Sequence, residues 1–319
     1  MSDATHAPLR TAVIGVGYLG RFHAQKYAQL AGSKLVGVVD ANAEACGKVA
    51  AELGTRAFGD YRELFGQVDA VSLAVPTPLH HAIGCELLKN GIDVLIEKPI
   101  ATTVSEAREL VDLAKSHGRV LQVGHLERFN PSVLAAAARL RTPRFVESHR
   151  LAPFKQRGTD VSVVLDLMIH DIDLIQELVG TPIESIDAVG ATVFSGEIDI
   201  VNARIRFQGG CVANTTASRI SLKQERKIRI FQDDAYLSVD MQQKILTVIR
   251  KKDQAPVESP AQVSIEEESF DQGDALLAEI EAFLKAVRER GTPVVTGEDG
   301  LRALETAMKI TALVQGSTS

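Results

Sequence analysis

Hydrophobic and polar positions follow two different rhythms along this chain. Up to about residue 123, short apolar runs alternate with longer stretches of helical spacing. The runs are Leu9–Gly15, Lys34–Asp40, Ala70–Val75, Asp93–Glu97 and Arg119–Val123. The helical stretches are 19–31, 42–53, 79–90 and 103–117, and the third closes at Asn90-Gly91, a helix-end signal. A short apolar run bounded by glycine or proline reads as a buried strand. Strands alternating with helices predict a parallel, doubly wound sheet.

After residue 124 the rhythm changes. A helix over 132–140, a strand over 144–150 and a longer helix over 161–178 are followed by strand-like stretches in succession. These are 183–194, 198–207, 211–219, 226–232, 235–241 and 244–251. Val201–Phe207 alternates apolar and polar residues, the period of a strand with one covered face. Short turns at Gln208-Gly-Gly and Gln232-Asp-Asp imply an antiparallel or mixed sheet, its second face solvated or used for association. The polar segment 252–264, with two prolines, reads as a surface loop, and helices over 274–290 and 298–314 close the chain. The pattern therefore predicts an α/β protein of two domains, residues 1–123 and residues 124–319.

Composition narrows the classes. The 319 residues are 45% hydrophobic and 24% charged, an ordinary globular balance that excludes disordered and fibrous chains. A net charge of −6 argues against nucleic acid as the main partner. Cys46, Cys85 and Cys211 lie far apart without a CxxC pair, so neither a disulfide framework nor a zinc site is expected, and a reducing cytoplasm fits. No apolar run reaches the 18 or so residues of a membrane span, and residues 1–8 read as a loose tail without a signal-peptide core.

Three motifs carry chemistry. Gly15-Val16-Gly17-Tyr18-Leu19-Gly20 follows a buried strand and opens a helix, and Asp40 ends the next strand 20 residues after Gly20. That context is the dinucleotide fingerprint. Gly15 makes the tight turn, Gly17 admits the pyrophosphate, and Gly20 allows helix and strand to pack closely. The uncapped helix start offers N–H groups to phosphate. Asp40 would accept from the ribose hydroxyls and repel a 2′-phosphate, which favours NAD over NADP. Set against this is a purely structural strand–turn–helix. The second motif is Glu97-Lys98-Pro99, where the lysine leaves a buried strand toward the same crevice. The third is Asp166-Leu-Met-Ile-His170, whose spacing puts Asp166 and His170, with Asp173, on one helical stripe among apolar residues. Asp–His pairing for stability would explain that stripe as well as catalysis would.

Together and in this order the three motifs resemble the glucose-fructose oxidoreductase/inositol dehydrogenase/MocA family over essentially the whole chain. The resemblance implies a Rossmann domain followed by an α/β domain with a large open sheet, which members use to form dimers or tetramers. It also implies oxidation of a sugar or polyol hydroxyl, with Lys98, Asp166 and His170 as the catalytic set. Cofactor contacts are implied for Thr77, His80, Glu97, Lys98 and His125. Prolines flank Thr77 where relatives usually carry Pro-Asn, a departure from the pattern. Segments 124–131 and 150–171 resemble more closely the members that oxidise the 3-hydroxyl of UDP-N-acetylglucosamine ahead of an aminotransferase, in lipid A diamino-sugar synthesis. Substrate contacts are then expected from Arg128, Asn130, Arg150, Lys155, Arg157, Lys98 and His170. Arg150, Lys155 and Arg157 form a basic cluster suited to a diphosphate. A dehydrogenase of a free sugar or inositol, and a non-catalytic NAD-binding regulator, are the alternatives. Either His170 or Lys98 could take the hydroxyl proton.

Overall fold

The computed structural model describes residues 7–154, 161–252, 259–270 and 272–317. They form two compact units. The first comprises residues up to Leu126 together with Leu276–Leu301. Its strands are β1 (Leu9–Ile14), β2 (Ser33–Val39), β3 (Arg56–Phe58), β4 (Ala70–Leu73), β5 (Asp93–Glu97) and β6 (Leu121–Gly124). All pair in parallel, in the order β3-β2-β1-β4-β5-β6. The connecting helices are α1 (Tyr18–Gln29), α2 (Ala43–Leu53), α3 (His80–Lys89) and α4 (Val104–Ser116). Side chains start two of them. Asn42 accepts from the Ala45 N–H, and Thr103 with Glu106 forms a reciprocal capping box. The strand order reverses between β1 and β4, and ligands of such sheets bind outside the carboxyl ends of the strands there.

The second unit holds Glu127–Ala275 and the chain from Arg302 onward. It contains α5 (Pro131–Ala137), β7 (Pro143–Leu151), α6 (Ile169–Val179), β8 (Ile183–Ala191), β9 (Ile200–Phe207) and β10 (Val212–Ser218). Next come β11 (Glu225–Gln232), β12 (Ala235–Asp240), β13 (Ile245–Lys251) and β14 (Val263–Ser269). The sheet order is β14-β13-β12-β11-β7-β10-β9-β8, antiparallel except for β7 beside β10. Its covered face packs Val201, Ala203, Ile205, Ile228, Ile230 and Leu237 against Ile169, Ile172 and Ile175 of α6.

The division differs from a single cut after residue 123. α7 (Ala275–Glu289) returns to the first unit, because Ile280, Phe283, Leu284 and Val287 join one core with Val13, Tyr27 and Leu95. α8 (Gly297–Ser317) starts in the first unit and continues in the second, where Ala303, Ala307, Ile310 and Val314 are buried. Two strands escape the sequence pattern. β3 is three residues long, too short to show a period. β14, of which only the first two residues fall in the segment read as a polar loop and the rest have no predicted element, is an edge strand rich in glutamate, and edge strands carry charge where central ones carry apolar residues.

Candidate active site

In the first unit the turn after β1 is built around glycine. Gly15 has φ +86°, and a Cβ there would lie 2.6 Å from the Ala74 carbonyl oxygen. A Cβ on Gly20 would lie 1.8 Å from the Gly15 oxygen, so α1 packs against the turn at a distance only glycine permits. Gly17 is different, since a Cβ there meets no protein atom within 4 Å. The surrounding protein sets no steric demand on Gly17, and a phosphate can approach its backbone. α1 begins at Gly17 without a side-chain cap, leaving N–H donors at the positive end of the helix dipole. Tyr18 and Leu19 are exposed on that first turn. The Asp40 carboxylate accepts from the Val16 N–H at 2.7 Å and from the Asn42 N–H at 2.8 Å. These bonds fix its direction at the end of β2 and leave it further lone pairs. Open backbone, free helix donors and an oriented acid together fit a dinucleotide such as NAD.

The ends of β4 and β5 carry the next group. Thr77 is half-buried in a short 3₁₀ turn (Thr77–Leu79). His80 is 1% exposed, and its two ring nitrogens lie 2.9 Å from the Val75 and Pro99 carbonyl oxygens. Burial lowers its pKa. The ring, expected to contact cofactor, is buried and ties the loop after β4 to the loop after β5 through these two carbonyls. Lys98 follows β5 and is half-buried. Glu97 receives His23 Nε2 at 3.0 Å, while His23 Nδ1 lies 3.0 Å from Ser72 Oγ. Burial would raise the Glu97 pKa, but His23 and Lys98 outweigh it and hold the carboxyl below its usual range. His125 is buried just beyond β6.

In the second unit the expected straight helix over 161–178 is instead two pieces. Val164–Met168 is a single π turn and α6 starts at Ile169. Such turns re-aim side chains and recur at functional sites. Asp166 lies on the π turn and His170 on the first turn of α6, both half-buried. Asp173 leaves the expected stripe. It is 2% exposed and takes a bidentate bond from Arg128, 2.7 and 2.9 Å long. Arg128 also meets Glu177 at 2.7 Å.

Three residues expected to contact substrate are buried and bonded within the protein. Arg128 is buried among these acids. Arg150, 3% exposed, donates two bonds to Asp171 and one to Glu127. Asn130 caps α5, accepting from Ser132, and donates to Glu127 and the Met241 carbonyl oxygen. Their polar atoms serve the protein's own frame because each faces buried carboxylates or backbone. Lys155 and Arg157 lie outside the described residues. The sequence reading also passed over Asp171, His23 and Glu279. Glu279 alone left a visible signal, a charge at helical spacing with Leu276, Ile280 and Phe283.

Comparison with known proteins bears on the fold and the cofactor. Residues 9–125 match the model of an oxidoreductase family with an NAD-binding Rossmann fold, and residues 140–318 match that family's C-terminal alpha/beta domain. The UDP-N-acetylglucosamine 3-dehydrogenase of Acidithiobacillus ferrooxidans is 40% identical over 96% of this chain and 97% of its own. A solved structure of that enzyme superposes with a TM-score of 0.90 at 39% identity, covering 98% of this chain and 99% of the other. The scyllo-inositol 2-dehydrogenase (NAD(+)) of Bacillus subtilis is 25% identical over 95% of this chain and 93% of its own.

Proposed function

The chain belongs to the glucose-fructose oxidoreductase/inositol dehydrogenase/MocA family of NAD-binding oxidoreductases, and from that premise we propose that it oxidises the 3-hydroxyl of UDP-N-acetylglucosamine to a ketone. The observation that carries this reading is full-length likeness, 40% identity across 96% of the chain, to an enzyme of that name. The product, a 3-keto sugar nucleotide, is the kind of carbonyl an aminotransferase consumes. The reaction belongs in the cytoplasm, with the chain associating into a homodimer or homotetramer through the open face of its large sheet. On that face the Phe145, Phe231 and Tyr236 rings meet in tilted contacts with centroids 5.0 to 5.6 Å apart.

NAD, when bound, supplies the hydride acceptor. The chain's own residues do the rest. The Gly15–Gly20 turn and the start of α1 take the pyrophosphate, and Asp40 takes the adenosine ribose. Asp166 orients His170, which removes the proton from the sugar hydroxyl. Lys98 polarises that oxygen and relays the proton. A base at this step contributes about 100-fold or more in rate.

The test is a screen of UDP-N-acetylglucosamine, free N-acetylglucosamine and myo-inositol with NAD, following absorbance of the reduced cofactor. Turnover of the nucleotide sugar, inhibited by UDP, is the expected result. Turnover confined to the free sugar or to inositol, with no competition by UDP, would overturn the substrate assignment.

A further inference from the structure

Behind Lys98 lies a buried cluster that the proposed chemistry does not use. His23 of α1, Glu97 of β5 and Glu279 of α7 each bring one polar atom to within 4.8 Å of the other two. Glu279 is fully buried, and neither of its carboxyl oxygens has a hydrogen-bond partner among the described residues. We propose that Glu279 is a proton-bearing positioning residue whose un-ionised carboxyl steadies the Glu97 carboxylate and, through it, Lys98. The proposal rests on the role assigned above to Lys98.

Two carboxyl groups this close in a core do not both ionise, since burial and mutual repulsion penalise the second charge. The surroundings decide which one keeps the proton. Glu97 has cationic and N–H neighbours. His23 Nε2 lies at 3.0 Å, and Lys98 contributes both its ammonium charge and its backbone N–H. A carboxylate can only accept, so that nitrogen of His23 carries a hydrogen. Glu279 has no such neighbour. Burial, then the charge on Glu97, raises its pKa well above the ordinary carboxyl range. Among the described residues, the other groups around the cluster bring no cation to Glu279. Tyr27 of α1 bonds Ser72 of β4 at 2.9 Å, and Ser72 in turn meets His23. Gln122 of β6 donates to the Glu279 main-chain oxygen at 3.1 Å and keeps an unpartnered Oε1. An ionised Glu279 would add two more bare acceptors to that place, whereas a protonated one adds a donor.

The same cluster connects to the lysine through the backbone. Glu97 is the last residue of β5, registered against Gly124 of β6. A Cβ on Gly124 would sit 3.0 Å from the Glu97 carboxyl carbon and both its oxygens, so the glycine makes the space the carboxylate occupies. A leucine in place of Glu279 would suit the apolar face of α7, and buried charge is costly. The acid is explained by what it does to Glu97.

Infrared spectroscopy of the protein at neutral pH tests the protonation. The carbonyl stretch of a neutral carboxylic acid should appear in the wild type and vanish in Glu279→Gln. Kinetics test the positioning. Loss of the neutral carboxyl dipole in Glu279→Leu leaves ionised Glu97 in a less polar surrounding and raises its pKa, so the acid limb of the kcat/KM profile moves to higher pH. Glu279→Gln, which keeps a neutral polar group beside Glu97, should return the limb toward its original place and exceed Glu279→Leu in kcat by up to about tenfold, the equivalent of one pKa unit. Absence of the acid band overturns the proposal, as does a Gln variant no better than the Leu variant. Release by Glu279→Gln of a tightly held Mn2+ or Zn2+ would also overturn it, since a cation would require Glu279 ionised. The infrared band needs no sugar, so its failure is separable from failure of the substrate assignment.

Discussion

Two regions of this protein hold a residue of the proposed chemistry, and they do so by opposite electrostatic means. At the end of β5 in the first unit, Lys98 follows an ionised Glu97 backed by a histidine and a second, unpartnered acid. At the start of α6 in the second unit, His170 is flanked by Asp171 and Asp173, each clasped by its own arginine. The contrast reflects the elements. A strand end is located by its ladder, so side chains there are free to adjust charge. A helix entered through a π turn has no ladder to locate it. Planar guanidinium groups with two parallel bonds supply direction as well as attraction. Burial by itself would lower the Arg150 pKa, but Asp171 and Glu127 raise it further.

Removing one half of a brace should produce the largest effect. Asp171→Ala removes two of the three side-chain bonds that buried Arg150 makes to carboxylates and leaves it Glu127 alone, and we expect a loss of about 3 kcal/mol in urea unfolding. A loss under about 1 kcal/mol would show that the pair is dispensable and dissolve the contrast. Lys98→Met and His170→Ala come next. Each should retain NADH binding by fluorescence titration and cut turnover about 100-fold or more, with unfolding midpoints near that of the parent. Turnover close to the parent's in either variant would remove that residue from the chemistry. The smallest change is expected at Asp40→Ser. Loss of a charged acceptor should weaken NAD about tenfold and narrow the preference over NADP. An unchanged NAD dissociation constant would mean that Asp40 serves only its bonds to Val16 and Asn42.

Much of this was legible in residue order. The runs ending at Gly15, Asp40 and Glu97 place β1, β2 and β5 within about one residue, because a strand buried on both faces must be apolar along its length. The Gly15–Gly20 turn could be assigned because each glycine meets a local requirement. Arg128, Asn130 and Arg150 could not be assigned. A basic or polar residue in a loop-like segment reads as available, and nothing local reveals a carboxylate waiting in the core. Asp173, which holds Arg128, lies 45 residues beyond it, and Asp171 and Glu127, which hold Arg150, stand 44 residues apart in sequence. The π turn was equally hidden, since Val164–Met168 has ordinary helical composition.

The sequence by itself determined the class of the fold and the dinucleotide turn, because periodicity and short motifs are local properties of a chain. Tertiary structure decided which charges are spent. It buried Arg128, Asn130 and Arg150 among internal partners and committed both His80 ring nitrogens to backbone carbonyls. It also brought Glu279, 182 residues beyond Glu97, to that residue's side. Burial and charge pairing depend on what folds nearby, and that is set by packing across the chain rather than by any neighbour in sequence.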